Sequence, residues 1–279
     1  MVNRAGILLA VALVFIWGIS YPLTRLAEYY ASPIMITLVR AILGFVAVYP
    51  LTKAIIINRR FALTAMLNMG LFLVLLNVSI MYSSNPGLAA LMVYTQPIFA
   101  SIFEYLILKG RFTGIQWVAL ALGFTGVSIT MVNTPRLDSW ALLGLAAGVL
   151  WGLGSVLYSM WFRGLDPRAS LASSSLLTIP LAALLIPVDP SFNPTPIGLG
   201  LVLLVAMVAQ VLGFLIWFRA MSLERPSTVS IILMLTPIVA LYLSHIMLNS
   251  PLTPVQGFGS LVAVLGILMF QWARIKTGG

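Results

Sequence analysis

The chain has 279 residues, of which 61% are hydrophobic and only 8% charged, with a mean hydropathy of +1.08. Such values exclude an ordinary soluble domain and indicate an integral membrane protein, whose outer surface is solvated by lipid. The net charge of +9 comes from basic residues standing singly or in pairs between apolar runs, which speaks for membrane orientation rather than a nucleic-acid patch, and the absence of Cys excludes disulfides, thiolate metal sites and a Cys nucleophile.

The apolar runs are each about 20 residues long, enough to cross roughly 30 Å of hydrocarbon at the helical rise. They are apolar on all sides, with Gly and Pro inside them, so they read as helices rather than as the alternating strands of a membrane barrel. Ten spans are predicted, at about 5–25, 33–52, 61–83, 86–108, 113–133, 139–162, 168–188, 196–218, 226–248 and 252–273. The first follows Arg4 and leads into Tyr21-Pro22 and Arg25 rather than a small-residue cleavage site, so it is read as a retained span. The seventh carries Ser173-Ser174-Ser175 and Pro180, tolerable in a helix that packs against neighbours. The longest connector, Asp189 to Thr195, is a turn-rich loop.

The chain repeats itself. Met81 to Gly126 returns as Met221 to Gly266 at one constant shift, with identities at Met81/Met221, Pro86/Pro226, Pro97/Pro237, Thr113/Thr253, Gln116/Gln256 and Gly126/Gly266. Trp17-Gly18 likewise returns as Trp151-Gly152, at a slightly smaller shift. Two five-span units are therefore expected, 1–135 and 136–279. Because five is odd, the second must enter the bilayer upside down relative to the first, an inverted repeat with a substrate site near the midplane. The loop charges agree. On one side fall Arg4, Lys53, Arg59, Arg60, Lys109, Arg111, Arg163, Arg168, Arg219, Arg225, Arg274 and Lys276, and on the other only Arg25 and Arg136, which places both termini in the cytoplasm.

Trp17-Gly18 with Arg25 eight positions after the Trp, Pro33 and Arg40 on the second span, and a twice-repeated Pro-centred helix followed by a short turn and Thr-x-x-Gln resemble the drug/metabolite transporter superfamily, in particular its EamA-type ten-helix permeases. The resemblance covers nearly the whole chain. It implies an all-α integral membrane fold and an inner-membrane carrier, commonly an exporter of amino acids or other small metabolites, with a central cavity between two halves. The family writes Leu-Gly-Glu before the Thr-x-x-Gln helix, whereas this chain has Leu108-Lys109-Gly110-Arg111 and Leu248-Asn249-Ser250-Pro251, a difference that bears on how the helix ends are capped.

Several side chains are candidates for the substrate path. Trp17, Tyr21 and Thr24 share a face of the first span, as do Trp151, Ser155 and Tyr158 on the sixth. They are either packed core or symmetry-related walls. Asn77 and Gln210, in the third and eighth spans, can both donate and accept hydrogen bonds, to a solute or to a neighbouring helix, and Trp217 is placed with Gln210 by the repeat. Tyr94 shares a face with Pro97, Ser101 and Glu104, whereas Gln96 lies about 200° round a straight helix from Tyr94. Pro97 and Pro237 predict a bend in each twin helix, either static or mobile.

Arg40 is the basic residue well inside a span, about 10 Å below the external end of its helix. It can hold a substrate carboxylate or phosphate, or brace the bundle by bonding carbonyls; the bracing role is the expectation, since its long side chain can snorkel. Glu104 lies roughly 16 Å from it along the normal, too far to pair. His245, the only histidine, and Glu104 leave proton coupling little to work with.

A secondary carrier working by alternating access is the first reading. The alternatives are a sugar-phosphate or nucleotide-sugar exchanger of the same superfamily, against which a single cavity cation counts, and a channel. Intramembrane hydrolysis lacks its partners, since the spans contain no Asp and no H-E-x-x-H, and no G-K-[ST] phosphate loop supports a pump. The expected partners are a small-molecule metabolite and the bilayer, with no nucleic acid, no obligate protein partner, and no metal or cofactor.

Overall fold

The computed structural model describes residues 3–82, 92–131, 139–249 and 252–276. Helix α1 is Arg4–Ala27, α2 is Pro33–Thr52, α4 is Gln96–Ile107, α5 is Gly114–Met131, α6 is Ala141–Phe162, α7 is Pro167–Leu185 and α10 is Pro254–Lys276. Helix α3 spans 59–82 and α8 spans 196–223, each with a π-helical segment inside it, and α9 comes in two halves, Pro226–Leu233 and Thr236–Leu248. Among the described residues there is no β-strand, only a bridging pair between Ala31 and Phe192. Among the described residues eight helices are long and apolar enough to cross a membrane, and α5 is a shorter apolar one. Of the fourth predicted span the described part is short, and its first residues, 86–91, lie outside the described residues, so ten crossings are not all visible.

Local chemistry sets the helix ends, and it does so in pairs. Ser32 caps α2 ahead of Pro33, and Asp166 caps α7 ahead of Pro167, at the same offset that separates Trp17 from Trp151. The Thr-x-x-Gln motif is a reciprocal cap: the Thr113 N–H donates to Gln116 Oε1 at 2.8 Å, and the Thr253 N–H to Gln256 Oε1 at 2.9 Å. At the position of the family's Leu-Gly-Glu glycine stand Lys109 and Asn249, both in the left-handed region, at φ 53° and 52°. The turn conformation is thus kept where the glycine is not.

Neither of the twin helices is bent by its proline. The chain breaks first: residues 94–95 and 234–235 form turns, and a new half-helix starts at Gln96 and at Thr236. Pro97 and Pro237 then occupy the first turn of that half-helix, where a missing N–H costs nothing. The break also removes the straight-helix angle between Tyr94 and Gln96. The π segments are twinned too, Met66–Gly70 in α3 and Ala206–Leu212 in α8, and their first residues are related by the same shift as Met81 and Met221.

Packing is reciprocal in the same sense. A methyl group added at Gly126 would lie 2.6 Å from Ala263 Cα and 2.7 Å from the Gly259 carbonyl oxygen, and one at Gly266 would lie 2.7 Å from Gly123 Cα and 2.8 Å from the Ala119 carbonyl oxygen. Ala119, Gly123 and Gly126 are the repeat mates of Gly259, Ala263 and Gly266. The repeat-related helices α5 and α10 therefore run antiparallel, backbone against backbone. Gly18 in α1 faces Val239 and Ala240 in the second half of α9, and its mate Gly152 faces Phe99 and Ala100 in α4. The four serines of α7, Ser170 and Ser173-Ser174-Ser175, are buried, and the Ser173 hydroxyl accepts the Ile56 N–H at 2.8 Å. Outward, large apolar side chains such as Leu8, Phe15, Val46 and Leu268 are exposed, as a lipid-facing surface requires.

The α5–α10 contact predicts opposite results for two Gly→Ala substitutions. Both gain up to about 1 kcal/mol of helix propensity, but at Gly123 the nearest foreign atom to an added methyl is 3.6 Å away. Gly123→Ala is expected to hold or raise the thermal midpoint in detergent, whereas Gly126→Ala, overpacked against backbone at a cost of about 1–3 kcal/mol, lowers it.

Candidate functional site

The centre of the bundle is built on α1 and α6. Trp17 and Trp151 meet edge to face with ring centroids 5.7 Å apart, so the two repeat-related indoles touch each other. Trp17 also packs on Phe214 at 5.5 Å, and Trp151 on Phe72 at 4.8 Å. The Trp17 indole N–H donates to the Ala209 carbonyl at 3.0 Å, inside the π segment of α8. Gly213 makes this approach possible, because any Cβ there would collide with the Trp17 ring nitrogen.

The two halves differ here. The repeat mate of Gly213 is Leu73, and the Trp151 indole N–H, 5% exposed as a residue, has no hydrogen-bond partner. Around it lie further unsatisfied groups. Asn68, in the π segment of α3, receives only a long contact from the Ser155 hydroxyl at 3.5 Å and leaves its Nδ2 unpaired. Ser155 donates chiefly to the Trp151 carbonyl of its own helix at 2.7 Å. Gln210, in the π segment of α8, donates to Met69 Sδ at 3.1 Å and to Ser175 Oγ at 3.4 Å, while its Oε1 is unpaired. Gly44 on α2 leaves the room that Gln210 and Ser175 fill.

One turn beyond Trp17, the Tyr21 hydroxyl is hydrogen-bonded to the Tyr94 hydroxyl at 2.7 Å across to the break before α4. Gln96, two residues on, turns to α9 instead and donates to Ser230 Oγ at 2.8 Å. Arg40 is within electrostatic reach of Tyr21. Its Nε is buried without a hydrogen bond, and the carbonyl bonds that would brace the bundle are not seen among the described residues. The Asn77 side chain lies outside the described residues.

Tyr158 and Trp217 sit elsewhere, in a packed aromatic layer toward the Arg-rich ends of α6 and α8. Each is 1% exposed, and with Phe218 they form ring contacts of 4.9 to 6.0 Å, the Tyr158 hydroxyl bonding Ser170 Oγ at 2.7 Å. Below this layer the Glu104 carboxylate accepts the Ser227 N–H at 2.9 Å at the start of α9, and Glu224 pairs with Arg274 at 2.8 Å. His245 is exposed in the last turn of α9. Asn68 and the buried Glu224–Arg274 pair are among the polar groups that sequence reasoning passed over. Asn68 is the mate of apolar Val208, so the repeat gives no signal for it, although a lone amide in an apolar run is itself one.

The two tryptophans should separate on mutation. Trp17→Phe removes the hydrogen bond to the Ala209 carbonyl and is expected to cost about 1–3 kcal/mol of stability. Trp151→Phe breaks no hydrogen bond, keeps an aromatic ring against Phe72, and is expected to leave the thermal midpoint within a few degrees while weakening solute affinity; thermal unfolding in detergent beside a flux assay reads both.

The EamA-like transporter family profile matches this chain twice, at residues 4–132 and 138–272. The chain is 27% identical to the uncharacterized transporter YvbV of Bacillus subtilis over 96% of this chain and 91% of that protein. It is 23% identical to a probable amino-acid metabolite efflux pump of Salmonella typhimurium, over 95% of this chain and 94% of that one. A solved crystal structure shares the fold with a TM-score of 0.84 over 98% of this chain and 99% of its own, at 15% identity. With one family matched across both halves of a multi-pass helical bundle, the chain belongs to the EamA-like transporter family and is a transporter rather than an enzyme.

Proposed function

We propose that this protein is a secondary carrier of the cytoplasmic membrane that exports small metabolites, amino acids among them, by alternating access between two inverted five-helix units, 1–135 and 136–279. The observation that carries the reading is the pairing of discontinuities. Breaks at 94–95 and 234–235 and π segments at Met66–Gly70 and Ala206–Leu212 fall at matching repeat positions and surround the Trp17–Trp151 contact. Interrupted helices at mid-bundle leave peptide groups available to a solute and supply points at which one unit can move against the other. The antiparallel, reciprocal α5–α10 contact supports the inverted arrangement. Amino acids are favoured by the names of the relatives in Salmonella typhimurium and Escherichia coli. On this reading Trp17, Tyr21, Arg40, Asn77, Tyr94, Trp151, Ser155 and Gln210 line or adjoin the path. Tyr158 and Trp217 belong to the layer that closes it toward the Arg-rich end, which the distribution of charge assigns to the cytoplasm together with both termini.

Purified protein in liposomes is expected to show saturable flux of L-amino acids that accelerates when the same solute is present on the opposite side. Conductance that does not saturate would instead indicate a pore. Since the chain has no Cys, single substitutions report topology directly. In intact cells Ser191→Cys should react with an impermeant maleimide and Gly278→Cys should react only after lysis; labelling of both from outside would end the inverted-unit reading.

A further inference from the structure

We infer that Arg40, with the Tyr21–Tyr94 hydroxyl pair, forms the subsite for a carboxylate on the transported solute. The inference rests on the carrier reading above and names the chemistry that the carrier selects.

Arg40 stands on α2, one turn before Gly44, where α2 meets Gln210 and Ser175. An intramembrane guanidinium is costly unless something answers its charge. Among the described residues no carboxylate lies against it; Glu104 and Glu224, the buried acids, are held at the other end of the bundle by Ser227 and Arg274. Its Nε has no hydrogen bond. A brace shared by both units would be expected at the mate of Arg40, but the offset that matches Ser32-Pro33 to Asp166-Pro167 carries Arg40 to Ser174, a buried serine. The cation is therefore present once, in a frame that is otherwise built twice.

The neighbouring groups select the sign and size of the ligand. The Tyr21 and Tyr94 hydroxyls share one hydrogen bond, so one of their two protons bridges the pair and the other remains to be donated. A guanidinium and a free hydroxyl proton are a donor set, which suits a group that only accepts and disfavours an ammonium. One positive charge balances a carboxylate, whereas a phosphate dianion calls for more. Tyr94 itself stands at the break before α4, two residues ahead of the half-helix that starts at Gln96, and the dipole of that half-helix adds to the preference for an anion. The Trp17 and Trp151 rings, one turn along α1 and across to α6, offer an apolar face for the rest of the solute.

The test is counterflow of labelled L-leucine, L-phenylalanine and L-threonine in proteoliposomes, with each free acid and its carboxamide as competitor. In the wild-type protein the carboxamides are expected to compete about tenfold more weakly than the acids, the loss of one charge-assisted hydrogen-bonded contact. Arg40→Gln should raise the KM for the acids by a similar factor, erase the difference between acid and carboxamide, and leave kcat for the saturated carrier less affected. Arg40→Lys should restore part of the preference. Should Arg40→Gln yield no folded protein, the double change Tyr21→Phe/Tyr94→Phe, which removes both hydroxyl protons, carries the same test, with a several-fold rise in KM for the acids and a smaller one for the carboxamides. Flux with an acid-to-carboxamide ratio that Arg40→Gln and Tyr21→Phe/Tyr94→Phe leave unchanged would overturn the subsite and leave the carrier standing. No flux for any of the three amino acids would remove the carrier reading for this solute class and the subsite with it.

Discussion

Hydrocarbon offers no hydrogen bond to a peptide group, and this constraint governs the whole molecule. An unbroken helix satisfies its own backbone, so each interruption at mid-bundle needs a partner from outside the helix. The π segment of α8 finds one in the Trp17 indole, which donates to the Ala209 carbonyl over the gap left by Gly213. In this way a distortion of α8 holds α1 against it, and an aromatic ring is fixed in the middle of the bundle by a polar contact as well as by packing. The serines of α7 follow the same logic at smaller scale, answering the Ile56 N–H, Met69 and Gln210.

Duplication supplies the frame, and divergence sets the candidate site apart from it. Caps, breaks, π segments and glycine contacts recur in both halves, whereas the polar groups at the centre do not. Trp17 is bonded and Trp151 is not; Asn68 answers to Val208, Gln210 to Gly70, and Arg40 to Ser174. A solute has no twofold symmetry, and a chamber made of two equal walls could distinguish its two ends only through such differences.

Most of this frame was legible in the residues. Runs of apolar side chains mark the spans, the constant shift from Met81–Gly126 to Met221–Gly266 marks the repeat, and Trp17 and Trp151 are seen in advance as a pair. What periodicity could not show is where a helix stops being a helix. Pro97 and Pro237 suggest bends, but a proline looks the same in sequence whether it kinks a helix or opens one, and the turns at 94–95 and 234–235 decide for the latter. The π segments carry no sequence mark, because the apolar run continues through them. Gln96 and Tyr94, two residues apart, reach different neighbours, Ser230 and Tyr21.

The seam between α5 and α10 has a mechanical meaning. Where glycine and alanine let two main chains touch with no side chain between them, neither helix can slide without driving backbone into backbone. That edge of the bundle acts as a keel: on the alternating-access reading proposed above, one half would swing about it against the other rather than slide along it. The break in α9 lies beside this keel, with Met234 Cε the nearest foreign atom to a methyl placed at Gly123, so the interruption and the fixed edge are neighbours.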